Sequence, residues 1–320
     1  MIDPLERWQG LGDKPDYAGL LTFAALPYTQ DPAELVGVDV AIVGAPTDDL
    51  VSDRPGARFG PRAIRAASCP PGPHVEAHVD AARELRVVDF GDAAVIPGDP
   101  VRTRAAIEAL VGQVVGAGAV PIVLGGDHSI AEPNMSAVAA VHGPVGLVHF
   151  DTHTDTGTEV FGVEVSHGTP MYRLVEGGRV DPLRYVQIGL RGYWPGQAEF
   201  LWQAERGITS FFMHDVRKNG IEDVVERTVA LVGAGPVFVS VDVDVLDPAF
   251  APGTGTPEPG GMSSADLLWA CRSLGQRLEV VGADVVEVIP TAVGSADVTA
   301  LVAERIVREL LTGIVLHRRA

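Results

Sequence analysis

Short apolar runs rich in Val and Ile alternate along the chain with longer stretches of helical periodicity. Continuous apolar runs of this length are typical of strands in a parallel sheet, because helices bury both faces of such a sheet. The predicted strands cover residues 38–45, 86–90, 120–124, 145–150, 184–190, 208–213, 236–243 and 280–288. The predicted helices cover residues 59–68, 100–116, 129–141, 196–206, 220–232, 263–277 and 296–312. The pattern predicts the α/β class, with a mostly parallel central sheet between two layers of helices.

No long linker, shift in composition or repeat of fixed period divides the 320 residues. We therefore predict one domain over residues 1–320, with residues 1–37 as an N-terminal extension that packs on it. In open α/β sheets, sites form in the crevice beyond the carboxyl ends of the strands. Polar motifs follow four of the predicted strands, so we expect these motifs to meet in a single site.

Metal-ligand side chains occupy alternate positions in the stretch HFDTHTD at 149–155. Side chains two residues apart in an extended strand point to the same side, so Asp151, His153 and Asp155 can face one site together. The same spacing recurs in SVDVDVLDP, and GGDHS at 125–129 adds a histidine. The candidate ligands are His128, Asp151, His153, Asp155, Asp242 and Asp244.

Carboxylate oxygen and imidazole nitrogen together suit Mn, Zn, Fe, Ni or Co, and the lack of cysteine in these motifs argues against a structural zinc site. Six ligands are more than one ion needs, and they match two ions that share bridging carboxylates. Water held between two divalent ions ionises near neutral pH, which provides a nucleophile without serine or lysine. Each motif alone is equally typical of a strand, a turn or a helix cap, but their joint occurrence predicts a dinuclear metal site.

The formal net charge of −18 opposes nucleic acid and anionic membranes as partners and favours a small cationic substrate. Lys14 and Lys218 are the only lysines, and the sequence contains neither a GxxxxGK[ST] loop nor a GxSxG elbow. The first ten residues do not resemble a signal peptide, and no apolar run is long enough to span a membrane. We therefore expect a cytoplasmic protein in which Cys69 and Cys271 are reduced.

Three other polar features have simpler explanations than ligand binding. His149 lies within a predicted strand and is more typical of a packed core histidine than of a seventh ligand. His74 and His78 have helical spacing, but PPGP precedes them, so we expect a loop pair. Asp127 either orients His128 or caps the following helix.

Taken together, the motifs resemble the signatures of the ureohydrolases, the family of arginase, agmatinase and the guanidino-acid hydrolases. The matching stretches span roughly residues 38–312 and are RPGARFGPRAIR, GGDHS, HFDTHTD, SHGTP, SVDVDVLDPAFAPGTGTPEPGG and DVVEVIP. The sequences PGTGTPEPGG and HGTP resemble the agmatinase branch more closely than arginase itself. The resemblance implies an arginase-like three-layer α/β/α sandwich and a homo-oligomer, either a trimer or a hexamer.

The resemblance also implies a role for each site residue. The implied ligand sets are His128, Asp151, Asp155 and Asp242 for one ion, and Asp151, His153, Asp242 and Asp244 for the other. Asp151 and Asp242 would bridge the ions, and Asp155 would also hydrogen-bond the attacking hydroxide. His167 matches the proton-shuttling histidine, and Glu287 matches the carboxylate that pairs with a guanidinium. Mn²⁺ is the expected metal, with Ni²⁺ as the alternative.

The implied reaction is hydrolysis of a guanidino compound to urea and an amine. Agmatine, which gives putrescine, is the first expected substrate, and guanidino acids such as 4-guanidinobutyrate or guanidine itself are the alternatives. A two-metal phosphoesterase is less well supported, because phosphate favours cationic side chains and the motifs are acidic. A non-catalytic relative is also less well supported, because the chain retains all the predicted ligands together with His167 and Glu287.

The far end of the pocket should distinguish these substrates, and we expect loops 46–53, 156–166 and 191–197 to form it. The acidic residues of the first two loops are Asp48, Asp49, Asp53, Glu159 and Glu164. These residues favour a substrate with a cationic tail, whereas Arg191 in the third loop favours an anionic one.

The chain departs from the family pattern at two places. Thr152 stands where alanine is usual, which is a small change. The run IPTAVGSADVTA at 289–300 lacks the Tyr-Asp pair that commonly follows the motif of Glu287. The second departure affects outer contacts of the pocket and no predicted metal ligand.

Overall fold

The computed structural model describes residues 18–68, 72–194, 196–292 and 294–320. Its strands are β1 (Val40–Ala45), β2 (Val87–Asp92), β3 (Val120–Gly125), β4 (Val145–Phe150), β5 (Val180–Leu190), β6 (Thr209–Phe212), β7 (Pro236–Asp242) and β8 (Glu279–Val286). Its α-helices are α1 (Gly60–Ala67), α2 (Ala81–Glu84), α3 (Pro100–Gly116), α4 (Ala131–His142), α5 (Pro170–Glu176), α6 (Gln197–Arg206), α7 (Met213–Asn219), α8 (Ile221–Val232), α9 (Ser264–Arg277) and α10 (Val298–Arg319). Short 3₁₀ turns lie at Phe23–Ala25, Pro32–Leu35, Ala57–Phe59, His128–Ile130, Val243–Val245 and Gly294–Ala296.

The eight strands form one sheet in the order β2-β1-β3-β8-β7-β4-β5-β6, and each strand pairing is parallel. Successive residues of a strand point to opposite faces, so Val40 and Ile42 pack in one core while Ala41 and Val43 pack in the other. Helices α1, α8, α9 and α10 supply the first core, and α3, α4 and α5 supply the second. The predicted three-layer α/β/α sandwich is thereby confirmed.

Helix α10 continues to Arg319, seven residues beyond its predicted end at residue 312. Gly313 lowers helix propensity at that point, which made the end of the helix difficult to predict. In the structure, a Cβ on Gly313 would lie 2.7 Å from the Cα of Gly275 in α9. The glycine therefore permits close packing of two helices, and this tertiary contact outweighs local propensity.

The described part of the predicted N-terminal extension, residues 18–37, contacts the β1-β2 side of the sheet. Phe23 and Leu35 are buried, and the backbone N–H of Phe23 donates to Oδ2 of Asp89 in β2 at 2.7 Å. Residues 1–17 and Cys69 lie outside the described residues, whereas Cys271 is a buried free thiol. Among the described residues, no helix combines the length and apolar character needed to cross a membrane.

Candidate metal centre

Four neighbouring strands, β3, β8, β7 and β4, end at one edge of the sheet, and each is followed by a predicted site motif. His128 begins the 3₁₀ turn after β3, and Asp242 is the last residue of β7. Glu287 follows β8 directly, and residues 151–155 follow β4. Parallel strands that end together place these side chains in the crevice where α/β proteins bind ligands.

His128 occupies the centre of the first half of this site. Its Nδ1 lies 3.2 Å from Oδ2 of Asp151, 2.9 Å from Oδ2 of Asp155 and 3.4 Å from Oδ2 of Asp242. All four side chains are buried. These are the four residues that the resemblance implies for one ion.

His153 occupies the second half. Its Nδ1 lies 3.1 Å from Oδ2 of Asp244 and 3.6 Å from Oδ1 of Asp151. Asp151 thus turns one oxygen towards His128 and the other towards His153, as a carboxylate that bridges two ions must. Asp242 places Oδ2 near His128, while its Oδ1 accepts the backbone N–H of Asp244 at 2.8 Å.

The electrostatics show that these carboxylates repel one another when no cation is present. Burial, together with the charges of Asp244 and Asp151, raises the pKa of Asp242 well above its usual value. Burial and Asp151 likewise raise the pKa of Asp244. Burial lowers the pKa of His128, but the surrounding carboxylates outweigh burial and raise that pKa far above its usual value. A proton on His128 therefore supplies positive charge that the carboxylates need.

The donor set fits two divalent cations. Within the part of the chain that the structure describes, the buried Nδ1 of His128 makes no hydrogen bond, although three carboxylates surround it. A metal ion would replace the proton as the compensating charge, since imidazole and carboxylate bind metals in their deprotonated forms. Ligand atoms of His128, His149, Asp151 and Asp155 lie within 4.8 Å of one another, as do those of Asp151, His153 and Asp244. Two ligand groups that share Asp151 fit a dinuclear centre.

The buried Glu287 pairs with the partly buried His167 beside the ligands. Nδ1 of His167 lies 3.0 Å from Oε1 of Glu287, and the same oxygen accepts the backbone N–H of His128 at 2.9 Å. Oε2 of Glu287 is buried and has no hydrogen-bond partner among the described residues. An unpaired carboxylate oxygen in a buried position costs the folded protein free energy. A cationic group of a ligand would remove that cost by binding to this oxygen.

Two of the site residues adopt a backbone conformation that L-amino acids rarely use. Asp155 has φ +52° and Glu287 has φ +64°. Strain of this kind persists where the surrounding structure enforces it, and it is concentrated at functional sites. In both residues the unusual turn follows a strand end and directs a carboxylate into the site.

A cavity of about 220 Å³ opens over these residues. Its floor is formed by His153, Asp155, Asp242 and His167. Its outer wall is formed by Ser52, Val160, Phe161, Gly168, Trp194 and Thr256. The three predicted loops each contribute to this wall. A larger cavity of about 350 Å³ lies between Phe23 and α10, and none of the predicted site residues lines it.

The acidic residues expected at the far end do not line the cavity. Asp48 is buried and pairs with Arg58, and Asp49 pairs with the same guanidinium at 2.8 Å. Glu159 and Glu164 are exposed, as is Asp53. The prediction of a cationic-tail subsite from these residues is therefore not supported, because two are committed to a loop ion pair and three face solvent.

Arg191 is also committed elsewhere. Its guanidinium donates to backbone carbonyl groups, including those of Asp244 at 2.8 Å, Leu246 at 3.1 Å and Glu258 at 2.6 Å. The side chain therefore holds the loop after β7 and is a structural arginine. Neither the five acidic residues nor Arg191, which were expected to select the tail of the substrate, line the cavity.

The sequence model of a protein family, described as the arginase family, matches residues 38–313 of this chain. The chain belongs to the arginase family. It is 44% identical over 300 residues to the guanidinopropionase of Pseudomonas aeruginosa, covering 93% of this chain and 92% of that protein. It is 40% identical over 304 residues to the mitochondrial agmatinase of Gallus gallus, covering 92% and 85%. The solved proclavaminate amidino hydrolase from Streptomyces clavuligerus superposes with a TM-score of 0.89 at 36% identity, covering 95% and 100%. The predicted membership of the ureohydrolases is confirmed.

Two contacts behind this arginase-family site were not predicted as part of it. His149 is fully buried, as a core histidine would be, and it also belongs to the first group of ligand atoms: its Nε2 lies 2.8 Å from Oδ2 of Asp151, and its Nδ1 lies 3.0 Å from the hydroxyl of Tyr185. Nε2 of His128 lies 2.9 Å from Oγ of Ser240, which donates to Asp284 at 2.6 Å. The two-residue spacing of His149 from Asp151 could have predicted their contact. No sequence pattern predicts the contact of Ser240 with His128, because it joins distant segments of the chain.

The remaining polar features have structural roles. Asp127 accepts the backbone N–H of Ser129 and so caps the turn that carries His128. It also accepts the backbone N–H of Leu50 at 3.2 Å. His74 lies 3.1 Å from Glu309, outside the site, as expected for a loop histidine.

Proposed function

We propose that this chain is a dinuclear-metal hydrolase that cleaves a guanidino compound to urea and an amine. The observation that carries the proposal is the unpaired, buried Oε2 of Glu287, which lies in the same site as the two ligand groups. A guanidinium is a planar cation with several N–H donors, and a carboxylate is its matching partner. Glu287 would hold the substrate's guanidinium beside the ions.

Two divalent ions, when bound, would supply a water ionised to hydroxide, the nucleophile for the guanidinium carbon. The six ligands His128, Asp151, His153, Asp155, Asp242 and Asp244 would hold these ions. Asp155 would also accept a hydrogen bond from the attacking water and orient it. Glu287 would fix the distance between the guanidinium carbon and that water, which is the positioning that the reaction needs.

His167 would deliver a proton to the departing amine. Burial lowers the pKa of His167, but Glu287 outweighs burial and raises that pKa to about 9. The imidazole therefore carries a proton at neutral pH and is able to donate one. Its position at the floor of the cavity, next to Glu287, would put it beside the nitrogens of a guanidinium that Glu287 holds.

Agmatine remains the first candidate substrate, since the chain carries a net charge of −18 and is 40% identical to an agmatinase. Guanidino acids are the second candidate. The 44% identity to a guanidinopropionase favours them, as does the finding that the predicted acidic residues do not line the cavity. Guanidine itself, with no tail, would need none of these outer contacts.

Mn²⁺ is the metal that we propose for both positions, with Ni²⁺ as the alternative, because carboxylate and imidazole ligands suit both ions. A cytoplasmic location and a trimeric or hexameric assembly are further parts of the proposal. They rest on the sequence features and on the family resemblance.

The proposal is tested by urea release after loading with Mn²⁺. The substrate panel contains agmatine, 3-guanidinopropionate, 4-guanidinobutyrate, arginine and guanidine, with p-nitrophenyl phosphate as the control for phosphoester cleavage. We expect urea from at least one guanidino compound and no phosphate release. Phosphate release without urea would support a two-metal phosphoesterase, and neither product would support a non-catalytic relative.

A further inference from the structure

Ser52 contacts the imidazole of His167 at the ring nitrogen that Glu287 does not contact. Its Oγ lies 2.7 Å from Nε2 of His167, and its backbone N–H donates to the same nitrogen at 3.1 Å. Nδ1 of His167 lies 3.0 Å from Oε1 of Glu287. Both ring nitrogens are therefore engaged, and the ring is held at two points.

The directions of these bonds determine where the proton of the neutral ring lies. A backbone N–H can only donate, so Nε2 accepts and Nδ1 carries the proton that is donated to Glu287. If Nε2 is protonated, it becomes a donor and its bond with the backbone N–H of Ser52 is lost. The hydroxyl of Ser52 keeps its contact in both cases, because a hydroxyl can donate or accept.

The segment that carries Ser52 is itself fixed to the site. The carbonyl of Leu50 accepts the backbone N–H of His167 at 3.1 Å and the hydroxyl of Ser166 at 3.2 Å. The backbone N–H of Leu50 donates to Asp127, which is fully buried. Ser52 is exposed at the wall of the cavity, but its backbone is anchored two residues away. A serine held in this way can orient a neighbouring ring.

We propose that Ser52 is a positioning residue that holds the imidazole of His167 in one orientation throughout proton transfer. The inference rests on the proposed function, in which His167 protonates the departing amine. Without the hydroxyl, the protonated ring would lose its partner at Nε2 and keep only Glu287. Nδ1, which faces Glu287 and the guanidinium that it would bind, would give its proton to the departing nitrogen while Nε2–H stays on the hydroxyl of Ser52. Without that hydroxyl the ring would rotate more freely, and the Nδ1 proton would be aligned with the departing nitrogen for a smaller fraction of the time.

The test compares Ser52→Ala, Ser52→Thr and the wild-type enzyme, all loaded with the same metal. Ser136→Ala is the matched control, because it removes a hydroxyl that bonds Arg179 at 3.1 Å on α4. For Ser52→Ala we expect kcat to fall about tenfold, with KM changed by less than about twofold. Ser52→Thr, which restores the hydroxyl, should return kcat to within about threefold of wild type. The metal content of each variant is measured as well and should be unchanged.

Three outcomes would overturn the inference: an unchanged kcat in Ser52→Ala, a change confined to KM, or no recovery in Ser52→Thr. A change confined to KM would show that Ser52 contacts the substrate. These outcomes are distinct from failure of the proposed function, because that failure would appear as an absence of urea from the wild-type enzyme.

Discussion

The two ends of the active-site cavity differ in how they are built. Apart from His167, the floor residues follow β4 or end β7, and the buried His128 and Glu287 next to the floor follow β3 and β8. The outer wall is formed by loops, and two of its large side chains are well exposed, Phe161 at 87% and Trp194 at 56%. Strand ends determine positions directly, whereas loop side chains are positioned by longer-range contacts. We therefore expect changes at the floor to affect the reaction itself and changes at the wall to affect substrate binding.

The largest expected effect is loss of a proposed metal ligand next to the floor. In Asp244→Ala, the carboxylate 3.1 Å from His153 is removed, so we expect one metal position to be lost and kcat to fall on the order of a thousandfold or more. Metal analysis should show about one ion per chain in place of two. Circular dichroism should show that the fold is kept. Asp223→Ala, on the surface of α8, is the control, and retained turnover in Asp244→Ala would refute the ligand assignment.

The next effect concerns the carboxylate that we assign to the guanidinium. Glu287→Gln keeps the shape of the side chain but removes its charge, so kcat/KM should fall on the order of a hundredfold. Two bound ions should remain, since Glu287 is not in either ligand set. Loss of metal together with activity would show that Glu287 acts mainly in organising the ligands.

The Glu287–His167 pair also predicts a pH dependence in the metal-free protein. The pKa of His167 is about 9 in the folded state, above its unfolded value of about 6.5, so the pair stabilises fully below about pH 6.5 and loses its effect as pH rises through about 9. The Tm of the wild type relative to Glu287→Gln should therefore decrease between about pH 6.5 and about pH 9.5. Asp127, whose pKa burial and Glu287 raise to about 6, titrates below this range. A pH-independent difference would contradict the pairing.

A smaller effect is expected at the outer wall. Trp194→Ala removes an apolar surface from the cavity, so KM should rise about fivefold while kcat changes less than about twofold. Tyr193→Ala is the matched control, because the neighbouring side chain is 99% exposed and does not line the cavity. A large loss of kcat in Trp194→Ala would remove the distinction between floor and wall.

The smallest effect is expected from substituting the acidic residues that were predicted from the sequence to line the outer wall. Glu159→Gln should change kcat/KM for agmatine by less than about twofold, because Glu159 is exposed and its charge is screened by salt. A rise in KM that is specific to agmatine and absent for guanidino acids would show that Glu159 binds the ammonium group after all.

Much of the floor could be predicted because its pattern is local. The ends of parallel strands meet at one edge, so the motif of Asp151, His153 and Asp155 could be placed there from the sequence. The expected strand alternation does not hold within the motif, because residues 151–155 follow β4 and Asp155 has a positive φ. The order of strands in the sheet could not be deduced in this way. That order makes β3, β8, β7 and β4 neighbours, although residues 120–125 and 279–286 are far apart in the chain.

The outer wall was harder to predict for a physical reason. Whether a charged side chain faces the cavity depends on which groups it pairs with elsewhere in the fold. Arg58 engages Asp48 and Asp49, and backbone carbonyls engage Arg191. Such long-range pairings have no period in the sequence.

The sequence by itself determined the α/β class, the candidate ligand residues and the family, because strand periodicity and motif spacing are properties of neighbouring residues. Only the tertiary structure decided that Asp151 faces both histidines, that Oε2 of Glu287 stays unpaired, and that Ser52 contacts His167 across 115 positions of the chain. These contacts join segments that approach one another only after the sheet has assembled. The proposed guanidinium end of the site thus depends on strand ends, and the proposed tail end depends on how the loops fold against them.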